Sequence, residues 1–282
     1  GSFVSRCVKS IKCKRKEGVE WCTLIDKCKE AVLEKSHPWN EMIVLRPILQ
    51  PLFENYPDSI EYAFKTLQII DIPNNEHNQE IKQQILENKY SNEWIYNTWL
   101  MFECLLSTPR SKWKLDNDQI RLLIHLGISS GQWDVRAASF TVFTIGGFPQ
   151  NEADIAFLLA NFENLLFFDS PKHVSIVKSA FVDFIERLNN RTKALSDQST
   201  SIQKNLYKII CQHMVPSYIS SHRQFAFDLA TPILRNDPNI LFSDGDFGFS
   251  CLISLILDSN HSLSNGVISF VNNLYGNCPQ FA

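Results

Sequence analysis

The sequence predicts an all-α fold, a solenoid of antiparallel helix pairs, on three observations. Apolar residues recur at helical spacing along most of the chain, helix-start signals return at similar intervals in its second half, and 10 glycines in 282 residues are too few turn residues for an all-β chain. No comparable run alternates apolar and polar with the period of two that a half-buried strand needs.

In chain order, the front third reads as helices over 19–33, 40–53, 59–69, 78–86 and 91–106, with a weak repeat phase. From there on, second helices of hairpins start near Asp134, Pro171, Ser220 and His261. These intervals of about 37–49 residues bracket the roughly 40–47 of HEAT and armadillo units. In the first unit, Gln132-Trp-Asp-Val-Arg-Ala-Ala-Ser-Phe places Asp134 as a cap. Val135, Ala138, Val142 and Ile145 then form an inward stripe, with Arg136 outside for a neighbouring turn or partner. In the second, Asp169-Ser170-Pro171 offers a capping side chain followed by a proline where no amide donor is needed, and Val177, Ala180, Phe181, Phe184, Ile185 and Leu188 share one face. The third carries Leu206, Ile209, Ile210 and His213 before a turn at Pro216, then Phe225, Leu229 and Ile233, with Pro232 expected to bend or shorten the helix. In the fourth, Phe249, Leu252, Ile253 and Ile256 precede an Asp258-Ser-Asn turn, and Leu263, Val267, Phe270, Val271 and Leu274 follow it. The organisation expected is an N-terminal helical segment over 1–109 with a basic start, then HEAT-like repeats over 110–282. Such stripes are cores first, because a helix pair cannot bury its apolar face without stacked neighbours. Function must come from the polar edges.

With 44% hydrophobic residues the chain can bury a sizeable core. A net charge of −3 and a pI near 6.2 exclude a uniformly basic surface, so any hold on nucleic acid would depend on local patches. Eight cysteines are few for a disulfide scaffold of this length, and they read as reduced in a cytoplasmic protein. A zinc site from Cys7, Cys13, Cys22 and Cys28 with His37 would have five, eight and five intervening residues between the cysteines, which is no usual ligand spacing. The sequons at Asn190 and Asn260 read as chance, since no apolar leader or membrane-length run accompanies them. Gly1-Ser2 reads as a cloning remnant and the chain as a piece of a longer array.

Three groups of cations stand out. Lys14, Arg15 and Lys16 belong to the densest basic cluster, which either neutralises phosphates or merely solvates a terminus. Arg110, Lys112 and Lys114 surround Trp113, an arrangement that can stack a base and hold its backbone, or leave the indole tucked between helices. Arg187, Arg191 and Lys193 fall at a helix end, where cations suit the carbonyl terminus anyway. No phosphate loop, serine elbow, His-Glu-x-x-His or dinucleotide fingerprint occurs, so no catalytic residue, metal or cofactor is expected. His125 and His213 sit among apolar neighbours and read as packing histidines, and Asp244-Gly-Asp246 reads as a turn rather than a calcium loop.

The order of segments from about Ile120 to Leu274 resembles the THADA family, large helical-repeat proteins. The residues that carry the likeness are Asp134-Val-Arg136 with Phe140, then Glu152, Ile155, Phe157-Leu-Leu159 and Asn161 leading to Ser170-Pro171. Phe181 and Arg187 follow, then Val215-Pro216 with His222-Arg223 and Leu229, and last Leu252 to Asp258, Leu263 and Phe270. The chain departs from the family pattern in lacking a glycine after Pro216, and in having Gln224 and Val174 where arginines are expected. The resemblance implies a non-catalytic partner of a SAM-dependent tRNA methyltransferase that helps present tRNA for 2′-O-ribose methylation in the anticodon loop. In physical terms such an array would present Arg110, Lys112, Arg136, Arg187, Arg191 and Arg223 as cations that hold phosphate and fix register while the partner does the chemistry, and of these only Arg136, Arg187 and Arg223 stand at positions matched by the resemblance. The competing expectation is a protein-only scaffold with no RNA contact, which the acidic balance favours. The animal branch of the family is linked to the calcium pump of the endoplasmic reticulum, so the likeness does not by itself select tRNA.

Overall fold

A computed structural model describes residues 27, 30, 92–113, 115–168, 170–190, 196–242, 245 and 247–277. Lys27 and Glu30 are helical, inside the helix expected over 19–33; the segments 40–53, 59–69 and 78–86 lie outside the described residues. The elements among the described residues are all helical. They fall into two compact units, 1–146 and 147–282. The boundary expected after 109 lies inside the first unit, where helices on either side of it pack together.

The first unit contains α1 (Asn92–Ser107), a 3-10 turn at Arg110–Lys112, α2 (Asn117–Ile128) and α3 (Trp133–Ile145). A capping box starts α2: the Asp116 carboxylate accepts from the Gln119 amide at 2.8 Å, and the Gln119 side chain accepts from the Asp116 amide at 3.1 Å. The start of α3 differs from expectation. Gln132, not Asp134, is the cap residue, and its side chain makes no capping hydrogen bond. The turn is instead held by Arg136, whose guanidinium donates to the carbonyls of Ser130 and Gly131 at 3.1 Å each. Asp134 lies in the first turn, where its charge still suits the helix dipole. Because α3 packs against both α1 and α2, it is buried almost all round: Ala137, Phe140 and Phe143 are covered along with Val135, Ala138 and Val142. The buried surface of α3 is therefore wider than the single expected stripe, and Ile145 is only half-buried.

The second unit runs through α4 (Glu152–Asn161), the one-turn α5 (Glu163–Leu166), α6 (Pro171–Asn189), α7 (Ser196–Gln212), α8 (Ser220–Asn236), a 3-10 segment Pro238–Phe242, α9 (Phe247–Ile256) and α10 (His261–Asn277). Three helices start on the residues the sequence marked: Pro171, Ser220 and His261. At α6 the Ser170 hydroxyl accepts from the His173 amide at 3.3 Å, with Pro171 in the first turn. At α10 the Asn260 side chain accepts from the amides of Ser262 and Leu263. All six stripe residues of α6 are buried; each fully covered aromatic or aliphatic side chain contributes roughly 1.5–3 kcal/mol of transfer free energy.

Within this unit α6 packs on α8 and α8 on α10, while α4 packs on α7 and α7 on α9. The pairs α6/α7, α7/α8 and α9/α10 join the two sets. Pro232 does not shorten α8, which continues to Asn236; Ile233 and Leu234, buried just beyond it, hold the last turn against neighbours. The apolar stripe of α9 also differs from expectation. Its buried residues are Gly248, Cys251, Leu252 and Leu255, whereas Phe249 and Ile256 are half-buried and Ile253 exposed. Apolar residues fall on every side of this short helix, interrupted only by Gly248, Ser250 and Ser254, so periodicity leaves the inward face undetermined, and packing against α7 and α10 turned the buried stripe by about one residue, with Leu252 common to both.

Candidate functional site

The cations singled out from sequence do not form one array. Arg136 is buried under the turn it holds, and Arg223 is buried in an ion pair with the fully covered Asp258, so neither faces solvent as a phosphate contact would. Arg187 is exposed near the end of α6, and Lys112 is exposed in the 3-10 turn. Trp113 is no stacking platform: its ring is buried, its Nε1 donates to the carbonyls of Thr108 at 2.9 Å and Leu105 at 3.2 Å, and the Arg110 guanidinium lies 5.0 Å over it. Lys14, Arg15, Lys16, Lys114 and Arg191 lie outside the described residues, as do Cys7, Cys13, Cys22, Cys28 and His37. His125 is exposed on α2 rather than packed. No group of three His, Cys, Asp or Glu that could hold a metal occurs among the described residues.

What the second unit does assemble is a groove of about 460 Å³ between α8 and α10. One wall carries Gln224, Asp228, Thr231 and Arg235, the other Gly266, Ser269 and Asn273, and the floor is Phe227 and Phe270. These rings meet edge to face at 5.5 Å. Asp228 is satisfied within the protein: Lys178, reaching from α6, pairs with it at 2.7 Å, and the Gln224 amide donates to it at 2.8 Å. Arg235 sits over Phe270 at 5.9 Å with its side chain exposed. The pattern was legible but unread. Gln224, Asp228, Thr231 and Arg235 are spaced by four, three and four residues, and Gly266, Ser269 and Asn273 by three and four, so each set is a polar stripe on one face of a second helix. A stripe with a single cation lacks the local cluster of charge that marks Arg110, Lys112 and Lys114 in the chain.

A second feature lies at the α7–α8 turn. His213 and His222 face each other with Nδ1 and Nε2 2.9 Å apart, and Tyr218 stacks on both rings at 5.0 and 4.5 Å. Phe167 and Phe168 close over the pair, and Glu163 comes within 3.5 Å of His213 Nε2. Burial, outweighing the pull of Glu163, holds His213 below the ordinary histidine value; burial and then its neighbour lower His222 likewise. One ring must donate and the other accept, which fails once both are charged. With folded-state values depressed, the unfolded chain binds more protons, so stability is expected to fall as pH drops below about 6.5 and to level off below the depressed values. Thermal melts from pH 8 to 5 should show that loss, and His222→Phe should flatten it; an equally steep His222→Phe profile would place the sensitivity elsewhere.

An apolar hollow of about 250 Å³ also opens beside α9, lined by Phe242, Phe249, Ile253 and Val271 among others. No helix among the described residues is long and apolar enough to cross a membrane. No family model, curated protein or solved structure matches the chain.

Proposed function

We propose that this chain is a non-catalytic, HEAT-like helical-repeat segment that works by holding a partner protein, and that the partner is a SAM-dependent tRNA 2′-O-methyltransferase, as the resemblance to the THADA family implies. The observation that carries the first part is the alternate packing of the second unit. The contacts of α6 with α8 and α8 with α10, and of α4 with α7 and α7 with α9, support reading the unit as two layers of stacked helix pairs. In that reading α8 and α10 are second helices of neighbouring pairs, and the groove lies between them. Catalysis would belong to the partner, with this chain contributing position.

A second reading, in which the segment itself helps present the tRNA, draws on exposed Arg187 and Lys112 and on the cations outside the described residues. The protein-only scaffold is favoured by the burial of Arg136 and Arg223, which removes two of the three resemblance-matched cations from reach of a phosphate. The test is binding of the purified chain to the candidate methyltransferase and to tRNA at two salt concentrations. A complex with the methyltransferase is expected, and its absence at both salts overturns the proposal. If tRNA lies on this segment, the double variant Lys112→Glu/Arg187→Glu lowers the salt dependence by roughly one unit of slope per lost phosphate contact. An unchanged slope assigns the segment to protein contact alone.

A further inference from the structure

We propose that the groove between α8 and α10 receives a peptide segment of the partner in which a carboxylate neighbours an apolar side chain, the carboxylate pairing with Arg235 and the apolar group resting on Phe227 and Phe270. The inference rests on the partner-binding reading above and names the chemistry that the partner offers.

The charge of the groove argues for one anion. Asp228, the carboxylate in its wall, already holds Lys178 and the Gln224 amide. Arg235 has no ion-pair partner among the described residues, and its guanidinium lies over the face of Phe270. The lining thus presents one cation that is not internally compensated. A guanidinium held over an aromatic ring is oriented by it, and the exposed Arg235 group is open to a bidentate carboxylate. The floor of two phenylalanines next to it supplies apolar surface for an adjoining side chain. Ser269 and Asn273 bring neutral donors and acceptors for the main chain of an extended segment. The Thr231 hydroxyl donates to the Phe227 carbonyl at 3.0 Å, which leaves its oxygen only an accepting role toward a ligand. There is room, since nothing lies within 4 Å of where a Cβ on Gly266 would stand. A nucleic-acid backbone fits less well. Successive phosphates call for several cations in a row, and this groove offers one arginine, on the same wall as a carboxylate.

The test uses a displayed library of random dodecapeptides selected on the intact chain, followed by anisotropy of the fluorescein-labelled consensus peptide. The expected consensus places Asp or Glu next to Leu or Phe. Arg235→Glu should weaken the peptide at least about tenfold, as loss of an interfacial charge pair does. Gly266→Leu, which fills open space without altering charge, should weaken it by a similar factor. Replacing the acidic residue of the peptide by lysine should restore binding to the Arg235→Glu chain, a result that a merely structural Arg235 does not produce. Selected peptides that ignore both variants leave the partner-binding reading standing and overturn the groove assignment. Failure to select any peptide counts against both. A single-stranded RNA dodecamer that binds the chain and is lost on Arg235→Glu, with peptides unaffected, overturns the carboxylate in favour of phosphate.

Discussion

Arg223→Ala is expected to destabilise the second unit by about 3–5 kcal/mol, the cost of stranding one partner of a buried ion pair. Arg223 stands in the first turn of α8 and Asp258 in the turn between α9 and α10, and the pair ties the two together with both groups shielded from water. Asp258 also accepts from the Asn260 amide at 2.8 Å, so it shapes the entry to α10. Without the guanidinium its carboxylate must protonate, find water by opening the turn, or remain buried and uncompensated. Arg223→Met/Asp258→Leu should recover most of the loss, because removing both charges removes the desolvation penalty along with the attraction. Urea unfolding of the two single variants and the double variant decides it; a single-variant loss under about 1 kcal/mol would show that water already reaches the pair. The same result bears on the RNA reading, since a defect in tRNA binding caused by Arg223 variants must be separated from unfolding before it counts as a lost phosphate contact.

Gly127→Ala carries the next largest effect and a sign opposite to the general rule. In an open helix the change stabilises by roughly 1 kcal/mol. Here a Cβ would stand 2.4 Å from the Ser139 Cβ and 2.5 Å from Phe102 Cζ, at the point where α1, α2 and α3 come together. The Ser139 Cβ is fixed to the α3 backbone, so α2 and α3 must separate, and overpacking of this kind costs about 1–3 kcal/mol. Gly266→Ala in α10, where the new methyl meets nothing within 4 Å, should instead raise stability. Parallel melts of the two variants read the contrast. Equal shifts of either sign would contradict the close approach at Gly127.

The two glycines show why part of this molecule was legible in the sequence and part was not. Helix starts were legible because their bonds are local. Ser170 accepts from an amide three residues on, Pro171 needs no donor of its own, and Asn260 caps in the same way. The stripes of α6 and α8 were legible because one face of each meets the core. At α3 and α9 periodicity failed for opposite reasons: one helix is enclosed on most sides, and the other is apolar on more sides than packing covers.

Charge had no such local rule. Arg136 and Arg223 look like Arg187 in the chain, yet two became internal struts and one stayed at the surface, because a carbonyl pair or a buried carboxylate happened to stand where their guanidinium groups arrive. The His213–His222 contact likewise needs a turn that brings together residues nine apart, and Trp113 needed the end of α1 to receive its indole N–H. Helical character, caps and most inward stripes were thus determined by the sequence alone, since they depend on spacings of three to four residues within one helix. The tertiary structure decided which polar groups are spent inside and which remain to meet a partner, because that depends on what a neighbouring helix places opposite each side chain.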